Sequence, residues 1–338
     1  MVPAMESFSL YTDAFNIRRS TSILGKAMTI QSRLSRRTCL RLSAITLGAT
    51  CLSLDPLSAS AADSGTPWLR KTLKVGMIKG KGSLVEKFAI AKEAGFEGVE
   101  LNVPGVKIDE AKHAAKQTGL IIDGTVGGYH WKQRHSDPSE DVRANALEKL
   151  KAGIKETAAL GGESMLLVPA HGKDGSDAEV YERAIAAINE VLPLAAEKKV
   201  SILIENVWND FLYDHEGGSD QSADKLAKFI DGFDSPWVGV QYDIGNHWKY
   251  GDPAQWIQTL GSRIKKLDIK GFSRESGKFT KITEGDIDWP SVETALRDIK
   301  FSGWLAAEVG GGDLNRLKEV RDHMEEALNC NKSVASAS

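Results

Sequence analysis

The sequence predicts a single-domain α/β fold, a (β/α)₈ barrel over residues 72–329. Eight short runs rich in Val, Ile and Leu alternate with helical stretches from Thr72 onward. The runs show little polar alternation, as expected for a parallel sheet buried on both faces. A doubly wound open sheet is the main alternative, but it has fewer strands and often a Gly-rich first loop. Gly80-Lys81-Gly82 lacks the spacing of the nucleotide-binding patterns.

The elements follow one another at the spacing of strand–helix pairs. The candidate strands are residues 73–78, 98–102, 120–125, 164–168, 200–205, 238–243, 264–269 and 304–308. Helical periodicity is clearest in residues 84–94, 140–160, 178–198, 222–230, 253–260 and 291–299. Ser83 and Asp252 stand where helix N-caps are expected, and Pro253 suits the first helical position.

The composition is that of a soluble globular protein. Of the 338 residues, 26% are charged and 41% hydrophobic, and the formal net charge is −3. We see no dense Lys/Arg stretch in the predicted domain, which argues against nucleic acid as the main partner. Cys330 is the only cysteine outside the predicted leader, which excludes an internal disulfide and a Cys-based zinc site.

Residues 1–62 have the composition of a leader, and residues 330–338 that of a disordered tail. Arg36-Arg37 within Ser35–Arg41 resembles a twin-arginine export motif, followed by an apolar stretch and the small-residue site Ala59-Ser60-Ala61. The apolar stretch is shorter than the roughly 20 residues that span a bilayer. We therefore expect export to the periplasm and no membrane contact after cleavage. The alternative is a disordered basic tail.

Four of the apolar runs end on a carboxylate, although strands disfavour Asp and Glu. These acids are Glu205, Asp243, Asp268 and Glu308, and they would close strands five to eight. Spacings of 25 to 40 residues allow one helix and a returning strand between neighbours. Because strand ends of a barrel converge, the four carboxylates would repel one another without a cation. Their oxygen donors predict one divalent cation, Mn²⁺ or Mg²⁺, with Co²⁺ or Zn²⁺ as alternatives.

The segments around these acids resemble the xylose-isomerase-like TIM-barrel superfamily, which includes sugar isomerases and epimerases. The resemblance rests on Ile204-Glu205-Asn206, on residues 242–246 (YDIGN), on residues 266–270 (KLDIK) and on Ala307-Glu308. It implies that Glu205, Asp243 and Glu308 ligate the metal. The family has His at the position of Asp268, so this chain would offer a fourth carboxylate there.

The resemblance also implies a mechanism and a set of substrate contacts. Glu205 and Glu308 would act as the acid/base pair that moves a proton beside a carbonyl through an enediolate. The residues that would contact the sugar are Glu100, His130, Trp131, Trp208, His247 and Lys270.

These observations predict a metal-dependent sugar isomerase or epimerase. Export disfavours phosphorylated substrates, so a free ketose, a 3-keto-sugar or a keto-glycoside is expected. The alternatives are a lyase or hydrolase of 3-keto-glycosides and a non-catalytic sugar-binding barrel. An apurinic endonuclease is disfavoured because His is sparse at the strand ends. The expected partner is a small sugar, and a homo-oligomer is compatible with the sequence.

Overall fold

A computed structural model of the chain describes residues 67–330, and the predicted barrel is confirmed. The strands are β1 (Leu69–Leu73), β2 (Gly98–Val103), β3 (Ile121–Gly127), β4 (Ser164–Leu167), β5 (Ser201–Glu205), β6 (Val238–Asp243), β7 (Ile264–Ile269), β8 (Gly271–Ser273), β9 (Lys278–Thr280) and β10 (Gly303–Ala307). Eight of them form one parallel sheet in the order β1-β10-β7-β6-β5-β4-β3-β2. A parallel bridge between Lys74 and Glu100 brings the two edges together, so the barrel is nearly closed.

Helices connect successive barrel strands and cover the outer face of the sheet. They are α1 (Leu84–Glu93), α2 (Ile108–Thr118), α3 (Glu140–Leu160), α4 (Asp177–Lys198), α5 (Asp224–Asp231), α6 (Pro253–Leu260), α7 (Trp289–Asp298) and α8 (Leu314–Leu328). Both predicted caps are confirmed: the Ser83 side chain accepts from the backbone N–H of Glu86, and that of Asp252 from Gln255. None of the helices among residues 67–330 is both long and apolar enough to cross a bilayer.

The first strand lies earlier than residues 73–78, and that prediction is wrong. β1 spans Leu69–Leu73, and Val75–Met77 forms a short 3-10 turn. β1 contains the charged residues Arg70 and Lys71, so its sequence lacks the apolar run that predicted the other strands. The guanidinium of Arg70 lies 3.7 Å from the ring centre of Trp304, and the ammonium of Lys71 pairs with Glu325 of α8, so both charges have partners in the folded chain.

The described residues include the first residue of the predicted tail and none of the predicted leader. The predicted leader, residues 1–62 with its twin-arginine motif, lies outside the described residues, so export stays a prediction. Cys330, at the start of the predicted tail, is fully buried in the apolar core, and residues 331–338 lie outside the described part of the chain.

The interior of the barrel differs from the layers of branched aliphatic side chains usual in this fold. Near the middle of β2, β3, β6 and β7 it carries buried charged groups, Glu100, Asp123 and Lys266, together with Gln241. Lys266 donates to Glu100 Oε1 at 2.8 Å and also pairs with Asp123. These ion pairs satisfy groups that would otherwise be costly to bury, and they support the floor of the site described next.

Candidate active site

The four predicted carboxylates meet at the C-terminal end of the barrel. Each offers one oxygen, and these oxygens lie within 4.8 Å of one another. Glu205 and Asp243 close β5 and β6, Asp268 is the penultimate residue of β7, and Glu308 follows β10. Asp243 and Asp268 are register partners across β6 and β7, so the cluster follows directly from the strand pairing.

Two asparagines fix the carboxylates of β5 and β6. Asn206 exchanges a reciprocal pair of 2.8 Å hydrogen bonds with the backbone of Asp243, which ties the two strand ends together. The backbone N–H of Asn246 donates to Asp243 Oδ1 at 2.7 Å, and its side-chain amide donates to Glu205 Oε1 at 3.3 Å. The acids are therefore held in place by the protein.

Lys270 provides the first of two ammonium groups in the cluster. Its Nζ lies 2.8 Å from Asp243 Oδ2 and 2.6 Å from Glu308 Oε2, and it donates to Asn246 Oδ1 at 3.1 Å. The ammonium thus holds together acids from β6 and β10. Although burial opposes its charge, Asp243, Glu308 and Glu205 raise the pKa of Lys270, which keeps it protonated.

Lys74 provides the second ammonium, and it engages Asp268. Its Nζ lies 3.0 and 3.1 Å from the two carboxylate oxygens of Asp268 and 2.7 Å from Glu100 Oε2. The amide of Gln241 donates to the same two oxygens of Asp268 at 3.0 and 3.1 Å. Both oxygens of Asp268 therefore have donors from the protein.

The environments of the acids push their pKa values apart. Burial and the neighbouring Glu308 and Asp268 raise the pKa of Glu205 well above its usual value. Burial also raises the pKa of Asp243 to about 6 and that of Asp268 to about 7, against the opposing lysines. For Glu308 the lysines prevail: burial alone would raise its pKa, but Lys74 and Lys270 hold it below the usual value.

A cavity of about 390 Å³ opens above the cluster. Glu205 and Glu308 line it, and so do four of the predicted substrate residues, His130, Trp131, Trp208 and Lys270. Trp131 is half exposed on the loop after β3. The ring of His130 is buried and accepts from the backbone N–H of Val168 at 3.2 Å through Nδ1. Burial lowers the pKa of His130 to about 3, so it is neutral.

Glu100 and His247 lie away from this cavity. Glu100 is the third residue of β2 rather than its end, and its carboxylate is enclosed by Lys74, Lys266 and Gln241. His247 packs its ring 4.6 Å from that of Trp256 and makes a 3.2 Å hydrogen bond to a backbone carbonyl. The structure thus gives both residues protein partners in place of the expected contact with a sugar.

The sequence prediction missed several residues that line the cavity, and three of them bear on its chemistry: Lys74, Asn246 and Phe279. Lys74 directly follows β1, and the misplaced first strand concealed it inside a strand. Asn246 lies in the resembling segment YDIGN, so its position was visible but its role was not. Phe279 lies on the β8–β9 hairpin, whose strands of three residues each are too short to give a periodic signal.

The residues present fit a divalent cation. Four carboxylates provide an all-oxygen donor set, which hard divalent ions prefer. The ammonium groups of Lys270 and of Lys74, which also pairs with Glu100, offset only part of these four negative charges. A divalent cation would offset the negative charge that remains. Glu205, Asp243 and Glu308 would hold such an ion, and Asp268 is near enough to join them.

Curated relatives match parts of the chain at low identity. An uncharacterized protein of Methanocaldococcus jannaschii is 22% identical over 56% of this chain and 66% of its own length. The 3-dehydro-D-guloside 4-epimerase of Escherichia coli is 33% identical over 27% of this chain and 34% of its own. The 2-oxo-tetronate isomerase of Pectobacterium atrosepticum is 24% identical over 66% of this chain and 85% of its own. The chain thus matches less than two thirds of the length of the first two relatives.

Solved structures share the fold along nearly their whole length. A D-tagatose 3-epimerase-like protein superposes with a TM-score of 0.64 at 18% identity, over 77% of this chain and 98% of its own. The 3-keto-D-glucoside 4-epimerase of E. coli does so with a TM-score of 0.64 at 18% identity, over 78% and 100%. An IolI protein with a bound zinc atom gives a TM-score of 0.62 at 12% identity, over 78% and 100%.

A sequence profile described as xylose isomerase-like TIM barrel matches residues 88–330, which is more than half of the chain. The match includes β2 to β10 and all four carboxylates of the cluster. The chain therefore belongs to the xylose isomerase-like TIM barrel family.

Proposed function

We propose that this protein is a sugar isomerase or epimerase that acts on a ketose or keto-sugar with the help of one divalent cation. The observation that carries the proposal is the arrangement of Glu205 and Glu308. Both line the cavity above the cluster, and their surroundings shift their pKa values in opposite directions. Two carboxylates with separated pKa values suit an acid/base pair that takes a proton and returns one.

Without a bound cation, the shifts give the two glutamates different protonation states and hence different roles. Glu308 is ionised beside Lys74 and Lys270 and can accept a proton from the carbon next to the carbonyl. Glu205, whose pKa is raised by burial and by its acidic neighbours, can donate one. Return to the opposite face of the same carbon gives epimerisation, and return to the neighbouring carbon gives isomerisation. A divalent cation at the cluster would supply Lewis-acid stabilisation of the enediolate charge.

The two cluster residues behind the pair have supporting roles. Asp243 is fixed by Asn246 and Lys270 and would serve as a ligand. Asp268 differs, because Lys74 and Gln241 already engage both of its oxygens. The relatives support the sugar chemistry, since the names of two of them specify a sugar epimerase and a tetronate isomerase.

The proposal is tested by proton exchange. The purified chain is assayed for bound Mn²⁺, Mg²⁺, Co²⁺ and Zn²⁺, and then incubated with a panel of ketoses and keto-glycosides in D₂O. We expect deuterium at a carbon beside the carbonyl, and we expect Glu205→Gln and Glu308→Gln each to lower the exchange rate by at least about 100-fold, the usual contribution of a general acid or base.

The same sample separates the roles of the ligands and of Asp268. Metal affinity measured by calorimetry should fall strongly in Asp243→Asn. An unchanged metal affinity in Asp268→Ala would show that Asp268 is not a ligand. The proposed function is refuted if the metal-loaded protein exchanges no proton with any sugar of the panel. Retained turnover in either glutamine variant would remove that residue from the acid/base pair.

A further inference from the structure

A second depression adjoins the cavity above the carboxylates. It has a volume of about 720 Å³ and lies between the β8–β9 hairpin and the start of α8. Both hollows are lined by Lys270, Phe279 and Glu308, so they meet along one wall. Small-molecule sites commonly have volumes of about 300–1,000 Å³. The first cavity is near the small end of this range, and the adjoining cleft offers space for a longer ligand.

Phe279 stands on the wall that the two hollows share, and 49% of it is exposed. Among residues 67–330, the other exposed large hydrophobic side chains are Trp131 at 50% and Ile121 at 44%. Its ring is held by Trp208 at 5.2 Å and by Phe272 at 5.3 Å between ring centres. Lys270 Nζ also lies 5.4 Å from the centre of this ring. The exposed half of the rigidly held ring is a surface against which the apolar face of a sugar ring can pack.

The remaining wall of the cleft is polar and balanced in charge. Lys281 pairs with Glu284 and with Glu319, each at 3.0 Å. Arg316 pairs with Glu319 at 2.8 Å. The two basic side chains are thus neutralised by acids, which disfavours a phosphate group in the cleft. Paired charges and the hydroxyl of Thr280 suit an uncharged group that bears many hydroxyls.

We propose that the cleft is a second sugar-binding subsite and that the substrate is a ketose or keto-sugar joined to another, uncharged sugar ring. The reacting unit lies over Glu205 and Glu308, and the second ring stacks on Phe279 and extends toward Lys281 and Glu284. This inference rests on the proposed function for the orientation of the sugar. It adds that the substrate is a glycoside rather than a free monosaccharide or a sugar phosphate.

The subsite is tested by comparing the affinities of the protein for a monosaccharide, its phosphate and disaccharides that contain it. The full chain, with the metal it retains, is titrated calorimetrically with D-fructose, with fructose 6-phosphate and with glucosyl-fructose isomers that cover every linkage position. At least one disaccharide should bind about tenfold more tightly than fructose, a gain typical of one aromatic contact with its buried area. Phe279→Ala should abolish that gain, so that the disaccharide binds no more tightly than fructose does to the same variant, and Phe279→Trp should restore the gain.

Ile121→Ala is the matched control, because Ile121 is 44% exposed and absent from both linings; it should change neither affinity. The proposal is overturned if no disaccharide binds more tightly than fructose, if fructose 6-phosphate gains more than every disaccharide, or if Phe279→Ala weakens fructose and disaccharide equally. Proton exchange in D₂O is measured separately. Exchange on fructose without a disaccharide gain refutes the subsite alone, whereas a Phe279-dependent gain without exchange refutes the proposed function alone.

Discussion

Asp268 is the residue at which the chain departs from the resemblance, and Lys74 explains how the departure is tolerated. The resemblance implies His at this position, whereas a fourth carboxylate would add a negative charge to a buried cluster. Lys74 Nζ contacts both oxygens of Asp268 and also Glu100 Oε2. The ammonium of Lys74 therefore offsets the negative charge of Asp268, although Glu100 shares it.

This pairing predicts a strong coupling between Lys74 and Asp268 in the metal-free protein. Lys74→Met would leave buried carboxylates without their partner, and we expect a loss of about 3–5 kcal/mol in the free energy of unfolding. Adding Asp268→Asn removes one of those charges, so the double variant should recover at least about 1 kcal/mol relative to additivity. Urea unfolding in the presence of a chelator measures both values.

Lys81→Met controls for the loss of a lysine at this end of the barrel, because Lys81 is exposed. Its effect should stay within about 0.5 kcal/mol. Additive effects of Lys74→Met and Asp268→Asn would contradict the pairing.

At the scale of elements, local sequence patterns predict most strands correctly. They fail for β1, whose charged residues depend on partners distant in the sequence. Seven of the eight predicted barrel strands coincide with observed ones over most of their length, whereas the first shares only Leu73 with β1. The helix caps at Ser83 and Asp252 depend on neighbouring residues alone. β1 carries Arg70 and Lys71, whose partners Trp304 and Glu325 lie at the other end of the chain. No window of local sequence reveals such contacts.

The loop after β10 packs against the loop after β1. Two adjacent glycines in the loop after β10 differ in how much space a side chain would have. A Cβ on Gly311 would lie 1.9 Å from the carbonyl oxygen of Met77, whereas a Cβ on Gly310 would meet nothing within 4 Å. The backbones are joined by hydrogen bonds from Gly312 N–H to Met77 at 3.0 Å and from Lys79 N–H to Gly312 at 2.9 Å. Gly311 is therefore the residue that permits this contact.

We expect Gly311→Ala to lower the free energy of unfolding by about 1–3 kcal/mol, the usual cost of forcing extra volume into a packed site. Gly310→Ala, one residue away, should be neutral or stabilise by about 0.4–1 kcal/mol through the unfolded state. Thermal unfolding of both variants under the same buffer measures the difference. Equal effects of the two substitutions would show that the loops do not pack as described.

At the scale of the whole molecule, the barrel and the meeting point of the carboxylates follow from one principle. Parallel strands that end on acids bring those acids together at one end of a barrel, and the register of β6 with β7 places Asp243 beside Asp268. The sequence could not reveal which acids face the cavity and which lie behind it. That division depends on Lys74 and Lys270, and on the polar interior built by Glu100 and Lys266, whose pairings join residues far apart in the chain.

Buried neutral histidines should govern how the fold responds to acid. Burial lowers the pKa of His130 to about 3 and the pKa values of His135 and His247 to about 4. An unfolded histidine has a pKa of about 6.5. Below that pH the unfolded chain binds protons that the folded chain does not, so the stability present above pH ~6.5 is lost as the pH falls toward ~4.

His135 isolates this effect, because it lies outside the carboxylate cluster and its ring makes a 3.0 Å hydrogen bond with the Tyr129 hydroxyl. His135→Gln keeps a polar side chain but cannot bind the proton. Its stability penalty relative to the original chain should therefore shrink by about 2–3 kcal/mol between pH 7.5 and pH 4.5, at about 1.36 kcal/mol for each unit of pKa difference. Urea unfolding of both proteins at the two pH values measures the change, with the exposed His113→Gln as control. A penalty that is the same at both pH values would show that His135 is protonated in the folded state as readily as in the unfolded chain.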